Sequence, residues 1–143
     1  MTSAPVTLHA SAVSWQGRGA LIEGRAGAGK SALALALMAR GARLLADDRT
    51  CVARRGENVV AWAPAAILGL IEARGVGLLR AEPGPPAPLT VIADLDLAEP
   101  GRLPPHRTRD ILGIDVTLVL GAGHPYLADV LIQILKEGLV PAP

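Results

Sequence analysis

Residues 20–41 read ALIEGRAGAGKSALALALMARG, and the order of their chemistry decides the fold. An apolar run, Ala20-Leu21-Ile22, leads into a glycine cluster, and a string of Ala, Leu and Met follows. Gly24, Gly29, Lys30 and Ser31 satisfy G-x-x-x-x-G-K-[ST] in the strand-then-helix context that this pattern requires. Each residue type has a physical reason. Glycines allow successive backbone N–H groups to turn inward as a nest for phosphate oxygens, and the positive end of the helix adds to it. One of only two lysines in the chain stands inside this loop, where its ammonium can reach β- and γ-phosphates. The Ser31 hydroxyl is placed to ligate Mg²⁺. Ala32 to Ala39 alternates Ala and Leu, literally a strand period, but these are strong helix formers and Gly41 is a natural stop. A helix is expected there, apolar on every side and well buried.

Composition bounds the rest. The 143 residues suit one domain, a single P-loop unit over 1–143, able to bury about 70% of its unfolded surface. A formal charge of +1 gives no field to hold nucleic acid or an anionic bilayer, and 2% aromatic residues with no Phe leave little to stack on bases. Apolar stretches are broken before the ~18 residues that a membrane span needs, and no charged-then-apolar leader opens the chain. Cys51 is the only cysteine, which excludes an intramolecular disulfide. It reads as a small core residue on a short strand. A cytoplasmic protein is expected.

Outward from the glycine loop the elements alternate. VTLHASAVSW and GALIEG read as strands joined by the turn QGRG; RLLADD is a short strand ending in two carboxylates. TCVARRGENVVAWA is two strands around GEN, PAAILG a loop or helical turn, and LIEARG another strand. EPGPPAP is a stiff surface loop rather than a domain boundary. LTVIADLDL and GIDVTLVLGAG are buried strands, and HPYLADVLIQILKEGL is a helix with Leu127, Val130, Leu131, Ile134 and Leu135 on one face. The fold class is α/β, sheet-rich for its size, with few helices packed on the sheet.

A nucleotide site also needs a carboxylate for the metal. Asp47 and Asp48 compete with Asp94 for that role, and pattern alone does not choose. Two successive residues of a strand point opposite ways, so one of Asp47 and Asp48 can face phosphates while the loop holds the other. Asp94 reads as a polar strand end entering a loop. Glu72 and Arg74, two apart, share a strand face; they either pair with each other or serve as metal ligand and phosphoryl clamp. His9 on an apolar strand is a core histidine by default. His106, Arg107 and Arg109 form a small basic loop that is either a solvated surface or a contact for an acidic partner or phosphate, and His124 is a capping or surface residue.

Taken together, His9, GRAGAGKS, RGARLLADDR and IEARGVG resemble the catalytic domain of the bacterial HPr kinase/phosphorylase family, in a short form without the N-terminal domain of longer members. The resemblance runs from about His9 into the last helix. It implies ATP-dependent phosphorylation of a serine of the phosphocarrier HPr, or an HPr-like paralogue, in the phosphotransferase system. It also implies a reverse phosphorolysis, in which inorganic phosphate yields pyrophosphate. Gly24, Arg25, Ala26, Gly27, Ala28, Gly29, Lys30 and Ser31 would then hold ATP or pyrophosphate, with Ser31 and Glu72 on Mg²⁺. Asp48 matches the general base, His9 a histidine beside it, and Arg102 in GRLP a catalytic arginine. Relatives are often hexamers, which leaves both a homo-oligomer and a well-packed monomer open for this chain. VLGAGHPYL has no arginine where the family carries a basic loop tied to phosphorolysis, so kinase activity is the stronger expectation. Two other readings stay open: a P-loop kinase of a small metabolite, and a nucleotide-binding regulatory module without transfer.

Overall fold

The computed structural model describes residues 2–140. Eleven strands and two α-helices follow the chain as β1 (Val6–Leu8), β2 (Ala10–Trp15), β3 (Arg18–Glu23), α1 (Lys30–Ala39), β4 (Arg43–Ala46), β5 (Thr50–Arg55), β6 (Asn58–Trp62), β7 (Leu70–Ala73), β8 (Gly77–Arg80), β9 (Ala87–Asp94), β10 (Thr108–Ile111), β11 (Ile114–Leu120) and α2 (Leu127–Glu137). A single 3₁₀ turn, Ala65–Ile67, precedes β7.

Nine strands form one sheet ordered β1-β5-β6-β9-β3-β2-β4, with the β10–β11 hairpin joined through β11 to β9; β7 and β8 pair separately. The centre is β9. It runs parallel to β3 on one side and parallel to β11 on the other, while its first residues, Ala87 and Pro88, pair antiparallel with β6. Flanked so, β9 must be apolar on both faces, and PLTVIA supplies that. Thr90 is the extra residue of a bulge, since Gly19 faces Leu89 and Ala20 faces Val91.

Strand alternation sorts the core into two sides. Val13, Ala20, Ile22, Leu44, Val91 and Ala93 pack under α1 and α2. Ala12, Leu21, Leu45 and Ile92 point the other way, onto Val52, Val59 and Ala61. At about 25 cal/mol per Å² of apolar surface, each fully buried Leu or Ile contributes roughly 1.5–3 kcal/mol. Arg40, which caps the C-terminus of α1, holds Asp129 of α2 at 2.7 Å, and Arg18 donates to the terminal α2 carbonyls of Leu135 and Lys136, both at 2.9 Å.

Several expectations are corrected. Helix α1 is buried on one face only, through Ala34 and Leu37, because sheet and α2 cover part of its circumference; Leu35 is exposed. Helix α2 buries Leu127, Ala128, Leu131, Ile132 and Leu135, a stripe rotated from the expected one, with Val130 and Ile134 half-buried. Cys51 is half-buried on β5, free, opposite Trp62. EPGPPAP does lie at the surface, but it seals the edge of the sheet: Leu44 donates to the Glu82 carbonyl and Gly84 to that of Leu44. The basic stretch at 106–109 is not a solvated loop throughout, since Arg109 lies in β10.

Candidate active site

Strand β3 delivers the chain to the glycine loop, and α1 carries it away. Gly24 is the point of closest packing: a Cβ there would lie 2.9 Å from the Ala28 Cβ and 3.2 Å from that of Leu95. Gly27 and Gly29 serve backbone freedom instead, at φ +83 and +103, a region that costs other residues roughly 1–2 kcal/mol. Among the described residues, the Gly27 and Gly29 N–H groups donate to no carbonyl of the chain. The first turn of α1 contains no acidic residue to neutralise its positive end. Asp96 anchors the far side of the loop, both carboxylate oxygens accepting from the Arg25 N–H at 3.1 Å.

Lys30 is 6% exposed, and its ammonium donates to the carbonyls of Gly24 at 2.7 Å and Arg25 at 3.2 Å. These bonds hold the charge against the loop with a third N–H to spare. The Ser31 hydroxyl donates to Asp47 Oδ1 at 2.6 Å. That oxygen also accepts from the Ser11 hydroxyl at 3.0 Å, and Asp47 Oδ2 accepts from the Glu72 N–H at 3.0 Å. Three donors on a buried carboxylate fix it in place.

Asp47 and Asp48 diverge, as successive residues at a strand end should. Asp48 adopts φ +65, the left-handed region, which turns its side chain away from Ser31 and onto His9, whose Nε2 lies 2.7 Å from Asp48 Oδ1. Both side chains are 57% exposed, so the pair faces solvent rather than the core assumed for His9. Glu72 and Arg74 do not pair with each other among the described residues; both border the same opening. His9, Lys30, Ser31, Asp47, Asp48, Glu72 and Arg74 thus share one open cleft of ≈ 630 Å³, with Leu35 at its edge.

The donor set fits Mg²⁺. A Ser31 hydroxyl that gives its proton to Asp47 keeps its lone pairs for a cation, and the exposed Glu72 carboxylate borders the same cleft. No group of three or more His, Cys, Asp or Glu side chains forms a metal cage among the described residues. Mg²⁺ commonly takes one or two protein oxygens and completes its shell with phosphate and water, so two suffice.

Arg102 is not brought into this cleft; it sits exposed in the loop between β9 and β10. Asp94 is also elsewhere. It is buried at the end of β9, and its carboxylate accepts from Arg109 at 3.0 Å and from the Asp96 N–H at 2.8 Å. Arg109 also grips Glu23, tying the ends of β3 and β9 together. Burial raises the pKa of Glu23 although Arg109 pulls it down; for Arg109, burial opposes the charge but its two carboxylates outweigh it and raise the pKa. His124 lies exposed just before α2, its Nδ1 accepting the N–H of Tyr126, the residue that precedes the helix, at 3.2 Å, and no side chain among the described residues caps α2. Ser11 and Asp96 were not singled out by sequence reasoning. A serine inside the apolar strand ASAV is the one signal Ser11 gives.

Residues 2–83 match the family model described as HPr Serine kinase C-terminal domain. That stretch contains every cleft residue named above and neither Arg102 nor Arg109. HPr kinase/phosphorylase of Lactobacillus acidophilus is 43% identical over 74 residues, covering 51% of this chain and 23% of the relative. The enzyme of the same name from Chloroherpeton thalassium is 36% identical over 124 residues, 78% of this chain and 36% of the relative. The chain therefore spans about a quarter to a third of the length of these curated relatives. The solved structure of the Hpr(Ser) kinase/phosphatase from Coxiella burnetii superposes with a TM-score of 0.75 at 28% identity, covering 92% of this chain and 88% of that one. On its sequence and its sheet-rich α/β fold alike, this chain belongs to the family of the HPr Serine kinase C-terminal domain.

Proposed function

We propose that this chain transfers the γ-phosphoryl group of ATP to a seryl hydroxyl of an HPr-type phosphocarrier protein, with Mg²⁺ as cofactor. The observation that carries the reading is the convergence of the glycine loop, the divergent Asp47–Asp48 pair and His9 on one open cleft. The names of the relatives supply the acceptor.

The chemistry follows from the side chains. A serine hydroxyl is far too weak an acid to ionise in water, so its proton must go to a base as the new O–P bond forms. Asp48 is that base: His9 occupies one carboxylate oxygen, and the other is left to receive the proton. As the bond from the γ-phosphorus to the bridging oxygen breaks, charge moves onto ADP, where Lys30 and the loop N–H groups meet it. Ser31 and Glu72 would hold Mg²⁺, which would supply divalent charge to offset that of the phosphates. Asp47 keeps Ser31 oriented for this. Arg74, at the cleft edge, is placed to pair with phosphoryl oxygens. In the reverse direction Asp48 returns its proton to the departing serine oxygen as inorganic phosphate attacks.

Labelled ATP, Mg²⁺ and HPr-type carriers test the reading. Serine phosphorylation is expected, reduced about 10²- to 10⁴-fold in Asp48→Asn. Lys30→Ala is expected to abolish it together with most nucleotide affinity. Tight nucleotide binding without transfer to any carrier would refute the kinase assignment in favour of a regulatory module, and turnover of a metabolite instead would make the chain a small-molecule kinase.

A further inference from the structure

Ser11 is the second residue of β2 and is wholly enclosed. Its strand neighbours Ala10 and Ala12 are buried too, and its partner across the strand pair is Ile22. A hydroxyl in such surroundings is costly unless both its donor and its acceptor capacity are used. Both are used, on two successive acids. The Ser11 hydroxyl donates to Asp47 Oδ1 at 3.0 Å, and its oxygen accepts from the Asp48 N–H at 3.0 Å. It therefore joins the side chain of one acid to the backbone of the next.

The bridged peptide is the one that needs holding. Asp48 sits at φ +65, where a residue with a Cβ is strained, and relaxing that angle would swing its carboxylate away from His9. Asp47 is secured independently by Ser31 and the Glu72 N–H, so it provides a fixed post. Among the described residues, Ser11 makes the one hydrogen bond to the Asp48 N–H. We propose that Ser11 is a positioning residue of the transfer site: bonded to the fixed Asp47, it locks the Asp48 backbone in its left-handed conformation and so aims the Asp48 carboxylate at the acceptor hydroxyl. This rests on Asp48 being the base of the reaction. It predicts that the metal and phosphate side of the cleft, carried by Ser31, is insensitive to Ser11, while the acceptor side is not.

The test is a double-mutant cycle between Ser11→Ala and Asp48→Asn, read by single-turnover transfer from labelled ATP, together with the imidazole ¹⁵N resonances of His9. Ser11→Ala should fold, since Asp47 keeps the Ser31 hydroxyl and the Glu72 N–H as donors, and bind ATP within about threefold of wild type. It should transfer about ten- to a hundredfold more slowly. In the Asp48→Asn background the same substitution should cost almost nothing further, because there is no base left to aim. The His9 resonances should move as the 2.7 Å contact with Asp48 loosens. Ser11→Thr, which keeps the hydroxyl, should return both rate and resonances toward wild type. An equal loss in both backgrounds, a loss confined to ATP affinity, or His9 resonances unmoved in Ser11→Ala would each overturn the proposal. Should the wild type transfer nothing to any carrier while Ser11→Ala still displaces His9, the kinase reading fails and the locking role of Ser11 stands.

Discussion

Replacing Gly24 by alanine would set a methyl group 2.9 Å from the Cβ of Ala28 and 3.2 Å from that of Leu95. Carbon atoms in ordinary contact stay about 3.5–4.0 Å apart, so the nearer approach is short by roughly 0.6 Å or more. No rotamer relieves it, because a Cβ is fixed by its own backbone. Overpacking of this kind costs about 1–3 kcal/mol. The cost falls at a sensitive place, since the Gly24 carbonyl holds the Lys30 ammonium at 2.7 Å and any shift that opens the loop carries that charge with it. Whatever the loop absorbs by moving should appear as lost nucleotide affinity, and the remainder as lost stability. Calorimetric titration with ADP and thermal unfolding should together account for roughly a five- to 150-fold change in equilibrium constant. Ala28→Gly in the same chain removes the nearer of the two clashing carbons and should return about half of the loss, giving a coupling of about 0.5–1.5 kcal/mol. Effects that simply add, within about 0.5 kcal/mol, would refute the reasoning and show that Gly24 is required for something other than room beside Ala28.

Arg109→Met leaves Glu23 and Asp94 facing each other without their shared cation, and should destabilise the protein by about 2–3 kcal/mol at neutral pH. Glu23 already has a folded-state pKa raised by burial, so its ionisation weakens the fold as pH rises through that value; removing Arg109 raises it further. The deficit of the variant should therefore shrink as pH is lowered toward about 4, and a deficit constant across thermal melts from neutral to acid would count against the ion-pair account. Leu131→Ala, at a fully buried position of α2, should cost about 2–5 kcal/mol in denaturant unfolding without altering ATP affinity; a loss under about 1 kcal/mol would mean that α2 is loosely packed.

What could be read from the sequence was local. The glycine loop announces itself because phosphate binding by backbone needs several glycines, a lysine and a hydroxyl in consecutive positions, and RLLADD brings its two acids as a pair. Arg109 could not be read. In HRTRD it is one more charge in a polar stretch, and its role arises only when β10 folds against β11 and carries it to the ends of β3 and β9. The turn that makes this hairpin is Leu112–Gly113, with Leu112 at φ +54, and leucine gives no turn signal. Ser11 stayed silent for a similar reason: one hydroxyl in a strand becomes informative only once its partners, more than thirty residues away, are known. Helix α1 was misjudged because alanine on an exposed face looks the same as alanine in a core.

The place of β9 at the centre of the sheet has a consequence for biosynthesis. The glycine loop is made early, on the strand that ends at Glu23, yet its neighbour on the floor of the site is a strand that begins only at Ala87. At about 5–20 residues per second, a growing chain carries the finished loop for roughly three to twelve seconds before Asp94 is added. During that interval β3 has β2 on one side and nothing on the other, and Leu21 and Ile22 lie along an open edge. Asp96, whose carboxylate accepts from the Arg25 N–H and so steadies the loop, is joined only after β9. An open strand edge is a template for pairing with another chain, so the arrival of the β9 segment closes the edge that the glycine loop's own strand leaves exposed during synthesis.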